Sequence, residues 1–313
     1  MVIDDCITKM LKNQLLLSDA ELLYFASTAP HRYKKYFIPK RNGVDLREIA
    51  HPSSQLKYVQ RLLVESMVKT FPIHSSAVAY RKGISIRDNA TLHLKNNYLL
   101  KMDFENFFNN ITPEIFFDAC EDNNISYSEK DKNLLKNILF YKKRRASGLS
   151  LSIGAPSSPL VSNFIMYQFD VLVSDFCAAR NIVYSRYADD LFFSTRKSDE
   201  LSQVAGFIKE ILRTMYRGRL KINDAKTIHT SKKNKRLVTG VVLSSEDKLS
   251  IGREKKRFYS SMIHKFTLKL LDGDEIHKLQ GYLSHAKNIE PLFISRMEKK
   301  YGHKALAEIM SYN

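Results

Sequence analysis

The chain has 313 residues, of which 44% are hydrophobic. This length and hydrophobic content are typical of a globular protein with one large or two to three modest domains, and they exclude a disordered chain. The 50 Lys and Arg residues against 33 Asp and Glu give a formal net charge of +17. Such an excess favours a polyanionic partner, most often nucleic acid. A basic membrane-surface protein is the alternative, but such proteins usually carry a basic amphipathic helix or a lipidation signal.

Cysteine usage and the N-terminal residues indicate the compartment. Cys6, Cys120 and Cys177 are odd in number and widely spaced, which fits a reducing cytoplasm better than a disulfide framework or a zinc site. No apolar run approaches the roughly 18 residues of a transmembrane helix. The N-terminus carries acids where a signal peptide would carry bases. We therefore expect a cytoplasmic protein with no membrane partner.

The first hundred residues predict helices and one basic hairpin. An opening helical region contains a capping box at Ser18 to Glu21. Asn42-Gly43 is the commonest two-residue hairpin turn, and short strand-like runs flank it. Apolar residues at helical spacing follow over 53–71, and residues 85–97 predict a short helix or a loop. The hairpin is unusually basic, with Lys34, Lys35, Lys40, Arg41 and Arg47.

Strands and helices alternate through the rest of the chain before a helical end. One predicted strand ends at Asp103, and two more flank Asp189 and Asp190. We therefore expect a mixed α and β part over residues 1–250 and a small, basic helical module over 251–313. The other predicted elements are helices beginning at Thr112 and Ser128, helices over 159–179 and 198–216, and strands near 219–230 and 236–243.

Asp189 and Asp190 stand inside an apolar, strand-like run. Burying two adjacent carboxylates is costly unless positive charge compensates them. A tight hairpin tip would let the flanking residues bury while both acids face a cleft. Since Asp103 also ends an apolar strand, two adjacent strands would bring three carboxylates to one point, a suitable site for Mg²⁺ and for two-metal nucleotidyl transfer. The alternative is an ordinary polar turn, with Asp103 capping the next helix.

Four motifs in order resemble those of reverse transcriptases. They are MDFENFF (102–108), GAPSSPLVSN (154–163), YADD (187–190) and LKINDAKT (220–227). Two shorter elements, NATLH at 89–93 and VTG at 238–240, resemble elements of retron reverse transcriptases. In a compact chain, these elements together make bacterial retron reverse transcriptases the family that the sequence most resembles.

The resemblance implies an α+β, right-hand polymerase fold. Fingers and palm would interleave over 1–250, with an antiparallel palm sheet, and a helical thumb would occupy 251–313. It implies RNA-directed DNA synthesis from dNTPs with two Mg²⁺ ions. It further implies a specific noncoding RNA template, priming from an RNA 2′-OH to give branched msDNA, and an effector protein in an anti-phage defence system. The alternatives are a group II intron-like or diversity-generating reverse transcriptase, or a non-catalytic RNA-binding scaffold.

The resemblance also assigns the chemistry to individual residues. Asp103, Asp189 and Asp190 would hold the metal ions, with Asp190 the less direct ligand. Lys226 would approach the leaving pyrophosphate, where it would neutralise or protonate it. The residues expected at the dNTP are Lys40, Arg41, Arg47, Phe104, Phe108 and Gly154, the basic ones being equally suited to the template backbone.

Two positions refine the expected nucleotide pocket. Phe108 occupies the place of a steric gate against a ribonucleotide 2′-OH, with core packing as the alternative. Ile153 stands where most relatives carry Gln before the glycine at Gly154, and this departure puts the details of sugar recognition in doubt.

RNA contacts are expected from the retron-like elements and from the basic thumb. The alternative for Asn89 is a helix cap, and the alternative for His93 is an ordinary core or surface histidine. A charge run is usually a solvated face, but in so basic a protein nucleic-acid binding is the better expectation. The expected RNA-binding residues are Asn89, His93, Val238, Thr239, Gly240, Arg253, Lys255 and Lys256.

Overall fold

A computed structural model describes residues 5–39, 43, 45–144 and 147–312. Several helices begin where the sequence supplies an N-cap, because a side-chain oxygen there accepts a free backbone N–H. Ser18 and Ser85 each form a complete capping box. The helices are α1 (Cys6–Leu15), α2 (Asp19–Thr28), α3 (Ser54–Met67), α4 (Ile86–Leu92), α5 (Phe107–Asn110), α6 (Pro113–Asp122), α7 (Glu129–Leu139), α8 (Ser158–Ile165), α9 (Tyr167–Ala178), α10 (Val204–Met215), α11 (Arg253–Thr267), α12 (Gly273–Ile289), α13 (Pro291–Tyr301) and α14 (His303–Met310).

The strands form four small antiparallel sheets. One contains four strands in the order β6-β7-β3-β8, and the others pair β1 with β2, β4 with β5, and β9 with β10 and β11. The strands are β1 (Tyr33–Pro39), β2 (Leu46–Pro52), β3 (Tyr98–Asp103), β4 (Tyr141–Lys142), β5 (Leu149–Ser150), β6 (Val183–Tyr187), β7 (Asp190–Thr195), β8 (Ile228–Ser231), β9 (Arg236–Val238), β10 (Val241–Leu243) and β11 (Leu249–Ser250).

Strands β3, β6 and β7 of the four-stranded sheet are largely buried on both faces, whereas β8 is more exposed. Because successive strand residues point to opposite faces, Leu100 and Leu191 pack on the main core with helices α8 and α9. Leu99 and Phe192 pack in a second apolar cluster, which also contains residues of α4, β9, β10 and the C-terminal helices. Packing therefore holds the sheet on both faces, and the candidate site lies at the end of the sheet where the β6–β7 turn is found.

The β1–β2 hairpin projects as the predicted basic hairpin. Its strands pair from Tyr33↔Pro52 to Pro39↔Leu46, and β1 is mostly exposed. At its base, the Ala50 N–H donates to the Ile153 carbonyl over 3.0 Å. Gly154 has a φ of +123°, and a Cβ there would lie 3.1 Å from the Ala50 oxygen. Glycine is therefore needed for this close approach between the hairpin and the GAPSSP loop.

Helices α11–α14 form the helical end of the chain. They share a small apolar cluster that includes Ile263, Leu279 and Leu306. Other residues of α11 and α12, Tyr259 and Ala286, pack with Leu99 and Phe192 of the four-stranded sheet in the second cluster. The helical prediction from 253 onward is thus confirmed, whereas a domain boundary near 250 stays a prediction.

Several predicted elements differ in detail. The helix over 159–179 is two helices that meet at Met166. The strand predicted over 219–230 is wrong in its first half: Asp224–Lys226 is a 3₁₀ turn, and the strand begins at Ile228. The strand predicted over 236–243 is a hairpin, β9–β10, turning at Thr239 and Gly240, both with positive φ. Alternating apolar residues occur in turns as well as strands, so the pattern alone did not separate them.

Candidate active site

The two-residue turn Ala188-Asp189 joins β6 and β7, and Tyr187 pairs with Asp190 across it. Ala188 has a φ of +56°, a conformation that costs energy in a residue other than glycine. The Asp189 carbonyl accepts the N–H of Phe104 over 3.0 Å, which ties the turn to the end of β3. The predicted hairpin tip, with both acids at its end, is confirmed.

The sheet register brings the aspartates together. Asp103 and Asp190 are directly paired in the antiparallel ladder of β3 and β7, so their side chains share one face. Each carboxylate meets a lysine: Lys226 Nζ lies 2.9 Å from Asp103 Oδ1, and Lys101 Nζ lies 2.7 Å from Asp190 Oδ1. The positive charge that the sequence required beside these acids is therefore supplied in part by two ammonium groups.

Asp189 is the least compensated of the three acids. Its pKa is raised to about 6, mainly by burial and also by the nearby charges of Asp190 and Asp103, while Arg47 opposes the rise. The pKa of Asp190 is also raised, first by burial, and Lys101 opposes that rise. Like charges gathered in a partly buried cleft are what a divalent cation neutralises.

The donor set has the right chemistry for such an ion. Carboxylate oxygens are the ligands that Mg²⁺ prefers, and the three acids converge from the end of β3 and from one turn. Among the described residues no group of three acidic, histidine or cysteine side chains is already arranged to hold a metal. One oxygen of Asp103 and one of Asp190 are in contact with Lys226 and Lys101, respectively.

A buried ion pair supports the turn from behind. Arg186 and Asp170 are both fully buried, and Arg186 Nη2 lies 2.6 Å from Asp170 Oδ2. Arg186 Nη1 also donates to Asn163 Oδ1 and to the Ala188 carbonyl, and the Tyr184 hydroxyl donates to Asp170. Burial alone would lower the pKa of Arg186, but the Asp170 carboxylate raises it. The arginine before YADD thus links the Ala188-Asp189 turn to α8 and α9.

The structure places Arg47 close enough to affect the charges at the turn, since it lowers the pKa of Asp189.

Phe107 is buried and Phe108 is half-buried at the edge of the core, so Phe108 stays a candidate gate. The ring of Phe104 is 2% exposed and packs on Phe107. A direct dNTP contact from that ring is therefore wrong, and only the Phe104 backbone lies at the turn. Gly154 supports the hairpin, as described above. Lys40 and Arg41 lie outside the described residues.

Three of the residues expected to contact RNA are buried instead. Asn89, His93 and Val238 each have 0% exposure. Asn89 and His93 hydrogen-bond to serines of the catalytic strands, and Val238 packs in the second apolar cluster. Their side chains therefore make internal contacts, which the motif match could not indicate, and RNA binding at these three residues stays a prediction that burial argues against. The cap interpretation of Asn89 is wrong, since Ser85 is the N-cap.

The other residues expected at RNA are accessible. Thr239 and Gly240 form the half-buried turn of the β9–β10 hairpin. Arg253 and Lys255 are exposed at the start of α11, while Lys256 is half-buried and pairs with Glu290 over 2.7 Å. Their role toward RNA stays a prediction.

Sequence reasoning missed Tyr80. The segment before it pairs in parallel with β6 through Ala77 and Arg186, and the Val78 N–H donates to the Arg186 carbonyl. Partial burial raises the pKa of Tyr80, and the charge of Asp189 raises it further, so the two side chains are close enough to interact. Tyr80 has a φ of +63° and is 54% exposed. An isolated tyrosine belongs to no motif, and the feature that marks Tyr80, its strained backbone, is visible only in the structure.

Comparison with known proteins accounts for this arrangement. Residues 38–243 match the reverse transcriptase (RNA-dependent DNA polymerase) family. The chain belongs to the reverse transcriptase family. It is 43% identical over 297 residues to the retron Ec83 reverse transcriptase of Escherichia coli, covering 94% of this chain and 95% of that protein. It is 31% identical to the retron Ec86 reverse transcriptase of the same organism, covering 89% and 85%.

The reverse transcriptase is therefore an RNA-directed DNA polymerase of the retron type, as the sequence motifs predicted. A solved telomerase from Candida albicans, in complex with a fragment of telomeric RNA, has a TM-score of 0.51 to it at 11% identity. That likeness covers 92% of this chain and 58% of the telomerase, and it confirms the predicted polymerase fold alone. In the described part of the chain, no helix is long and apolar enough to cross a membrane.

Proposed function

We propose that this reverse transcriptase copies one structured noncoding RNA into DNA, beginning at a 2′-OH of that RNA, and so makes a branched RNA–DNA molecule. The observation that carries the proposal is the paired register of Asp103 and Asp190 beside the Asp189 turn, in a chain of the retron type. A polymerase site open at a sheet edge can accept a primer hydroxyl held by a folded RNA. Such an RNA and its DNA product are the partners we propose.

We assign Asp103 and Asp189 as the principal Mg²⁺ ligands, with Asp190 beside them. Bound ions would supply activation of the attacking hydroxyl and neutralisation of the leaving pyrophosphate. Lys226 and Lys101 now neutralise Asp103 and Asp190, and each has to release its carboxylate when metal binds. Lys226 is 58% exposed at its side chain, so it is free to turn from Asp103 toward a pyrophosphate, where its ammonium would stabilise the developing charge.

The dNTP would lie between the β1–β2 hairpin and the catalytic turn. Arg47, on β2, is exposed and contributes electrostatically at Asp189, so its guanidinium suits a triphosphate. Lys40 and Arg41 belong to the same basic hairpin in sequence. Phe108, half-buried after β3, would meet the sugar of the incoming nucleotide and disfavour a ribose.

The thumb offers an open basic groove for the RNA. Helices α11 and α13 line a groove of about 770 Å³ with an apolar floor at Phe293 and Met297. Lys256 and Arg296 also line the neighbouring groove of about 750 Å³, which adds Arg253 and Lys299. Two adjoining grooves rimmed by cations fit a phosphate backbone, since phosphate contacts dominate nucleic-acid affinity. We assign this surface to the template RNA.

The experiment is to express the protein with its native flanking DNA and to analyse the nucleic acid that co-purifies. The sample is treated with RNase and then with a 2′,5′-debranching enzyme, and any DNA is sequenced. We expect a discrete DNA whose mobility changes on debranching and which the Asp189→Asn variant lacks. RNA without any DNA, even after dNTPs and Mg²⁺ are added, would contradict the proposal and favour a scaffold function.

By the same family likeness, we propose that the protein acts in the cytoplasm and that its complex restrains an effector protein in anti-phage defence. Deleting the neighbouring genes one at a time and challenging cells with phage tests this step. Loss of protection on deletion of an adjacent gene, with DNA synthesis unchanged, is expected. Full protection without any neighbouring gene would contradict it.

A further inference from the structure

Helix α4 lies directly against the catalytic hairpin, although it was expected to contact RNA. It carries Asn89 and Ala90, and His93 follows as its C-cap residue. The imidazole lies over one face of the paired hairpin strands. His93 Nε2 lies 2.8 Å from Ser185 Oγ on β6, and His93 Nδ1 lies 2.7 Å from Ser194 Oγ on β7. One side chain therefore bridges both strands that carry the catalytic turn.

The bridge continues at both ends into a directed chain of hydrogen bonds. Ser185 Oγ–H donates to Asn89 Oδ1 over 2.6 Å, so its oxygen is left to accept the Nε2–H of His93. Asn96 Nδ2–H donates to Ser194 Oγ over 2.8 Å, and the Ser194 hydroxyl then donates to His93 Nδ1. Each hydroxyl gives one bond and accepts one, so the order of donors is consistent from end to end.

The neutral imidazole fits this chain with Nε2–H as donor and Nδ1 as acceptor, whereas a protonated ring would make Nδ1 a donor and leave the Ser194 hydroxyl hydrogen without its acceptor. Burial lowers the pKa of His93 to about 3, which keeps the ring neutral at physiological pH. His93, Ser185 and Ser194 are each at most 1% exposed. These hydrogen bonds are therefore shielded from solvent, and they do not form a proton path to it.

The two serines lie diagonally on one face of the hairpin, Ser185 opposite Phe192 and Ser194 opposite Val183. Ser185 precedes Asp189 by four residues, and Ser194 follows Asp190 by four. At about 3.3 Å per strand residue, the bridge lies about 7 to 13 Å along the hairpin from Asp190, nearer at Ser185 than at Ser194. A bridge at that distance limits sliding and splaying of the two strands, and hence movement of the turn at their tip.

The second retron-like element supports α4 from its other side. Thr239 Oγ1 of the VTG turn donates to the Ile86 carbonyl of α4 over 3.3 Å. Ala90 packs with Val238 and Val241 of that hairpin in one apolar cluster. Helix α4 is thus held between the VTG hairpin and the catalytic hairpin, so NATLH and VTG form one packed unit.

We propose that His93 is a positioning residue, which through Ser185 and Ser194 fixes the catalytic hairpin so that its aspartates meet the reacting groups. NATLH and VTG then affect DNA synthesis through their packing against the sheet that carries the aspartates, and their effect on RNA is indirect. This inference rests on the polymerase activity alone. A primed homopolymer template therefore tests it whether or not the protein primes from a 2′-OH.

The experiment measures dNTP incorporation on oligo(dT)-primed poly(rA) for Ser185→Ala and Ser194→Ala, with active sites counted from the burst phase. Each variant leaves the imidazole without one partner. We expect kcat per active site to fall about 10-fold or more, since small misplacements at a reacting centre are costly, while KM for dTTP changes less than about 2-fold. Ser231→Ala, on the outer strand β8 of the same sheet, is the matched control and should keep the wild-type kcat.

A conservative variant separates positioning from folding. Ser194→Thr keeps the hydroxyl, so we expect its kcat within about 2-fold of wild type. If Ser194→Ala and Ser185→Ala lower only thermal stability or the active fraction, with kcat per active site equal to that of Ser231→Ala, the proposal is overturned. It is equally overturned if Ser194→Thr is as slow as Ser194→Ala, because the hydroxyl is then irrelevant.

Discussion

Replacing Asp170 by Asn removes the negative charge from the buried pair with Arg186 while keeping the side-chain volume. Both side chains are fully buried, and the guanidinium makes three contacts shorter than 3.3 Å to the two carboxylate oxygens. Breaking a buried pair by removing one partner typically costs about 3–5 kcal/mol, because the remaining charge is left uncompensated. We expect a loss of this size in the free energy of unfolding. The chain has no Trp, so urea unfolding is best followed by far-UV circular dichroism.

The matched control is Asp19→Asn. Asp19 also pairs with lysines, Lys12 and Lys130, but it is exposed, and surface pairs contribute little. Its unfolding midpoint should stay near that of the wild type. If Asp170→Asn were no more destabilising than this control, the account of the buried pair as the support of the catalytic turn would be refuted.

Three further predictions concern the active site. Lys226→Met should lower kcat about 100-fold, because one cation is lost at the leaving group, and steady-state primer extension measures it; an unchanged kcat would remove Lys226 from the chemistry. Phe108→Ala should improve the use of a ribonucleotide relative to the matching dNTP by about 10-fold or more, as expected on removing a clash; equal selectivity would make Phe108 a core residue only. The folded-state pKa of Asp189 is about 6, above its ordinary value, so without metal the folded protein should lose stability as pH rises from about 4 to 6. Asp189→Asn should therefore raise the melting temperature at pH 8 more than at pH 4, in buffers containing EDTA; the opposite order would contradict the raised pKa.

The catalytic centre was largely predictable from the sequence. YADD and MDFENFF are local patterns in which an acid follows an apolar strand, and the structure confirms that the two strands pair at Asp103 and Asp190. The basic β1–β2 hairpin was also predicted, whereas the expected Asn42-Gly43 turn lies partly outside the described residues and stays a prediction. These features depend on residues close together in the chain, where turn and strand preferences act directly.

The supports of the centre were not predictable in the same way. His93 contacts Ser185 and Ser194 across 92 and 101 residues, and Lys101 reaches Asp190 from another strand. The sequence does not show which side chain a strand serine will contact, or whether a histidine in a motif will be buried. Motif matching therefore located NATLH correctly but gave it an external role, whereas the packing makes it internal.

The measurement that tests the central claim most directly is incorporation of labelled dNTP by the purified protein on a primed RNA template with Mg²⁺. Wild-type protein is compared with Asp189→Asn, and RNA binding is measured on the same samples. The account predicts DNA synthesis by the wild type, none by Asp189→Asn, and equal RNA affinity for both. Synthesis by Asp189→Asn at the wild-type rate would contradict the assignment of the catalytic turn.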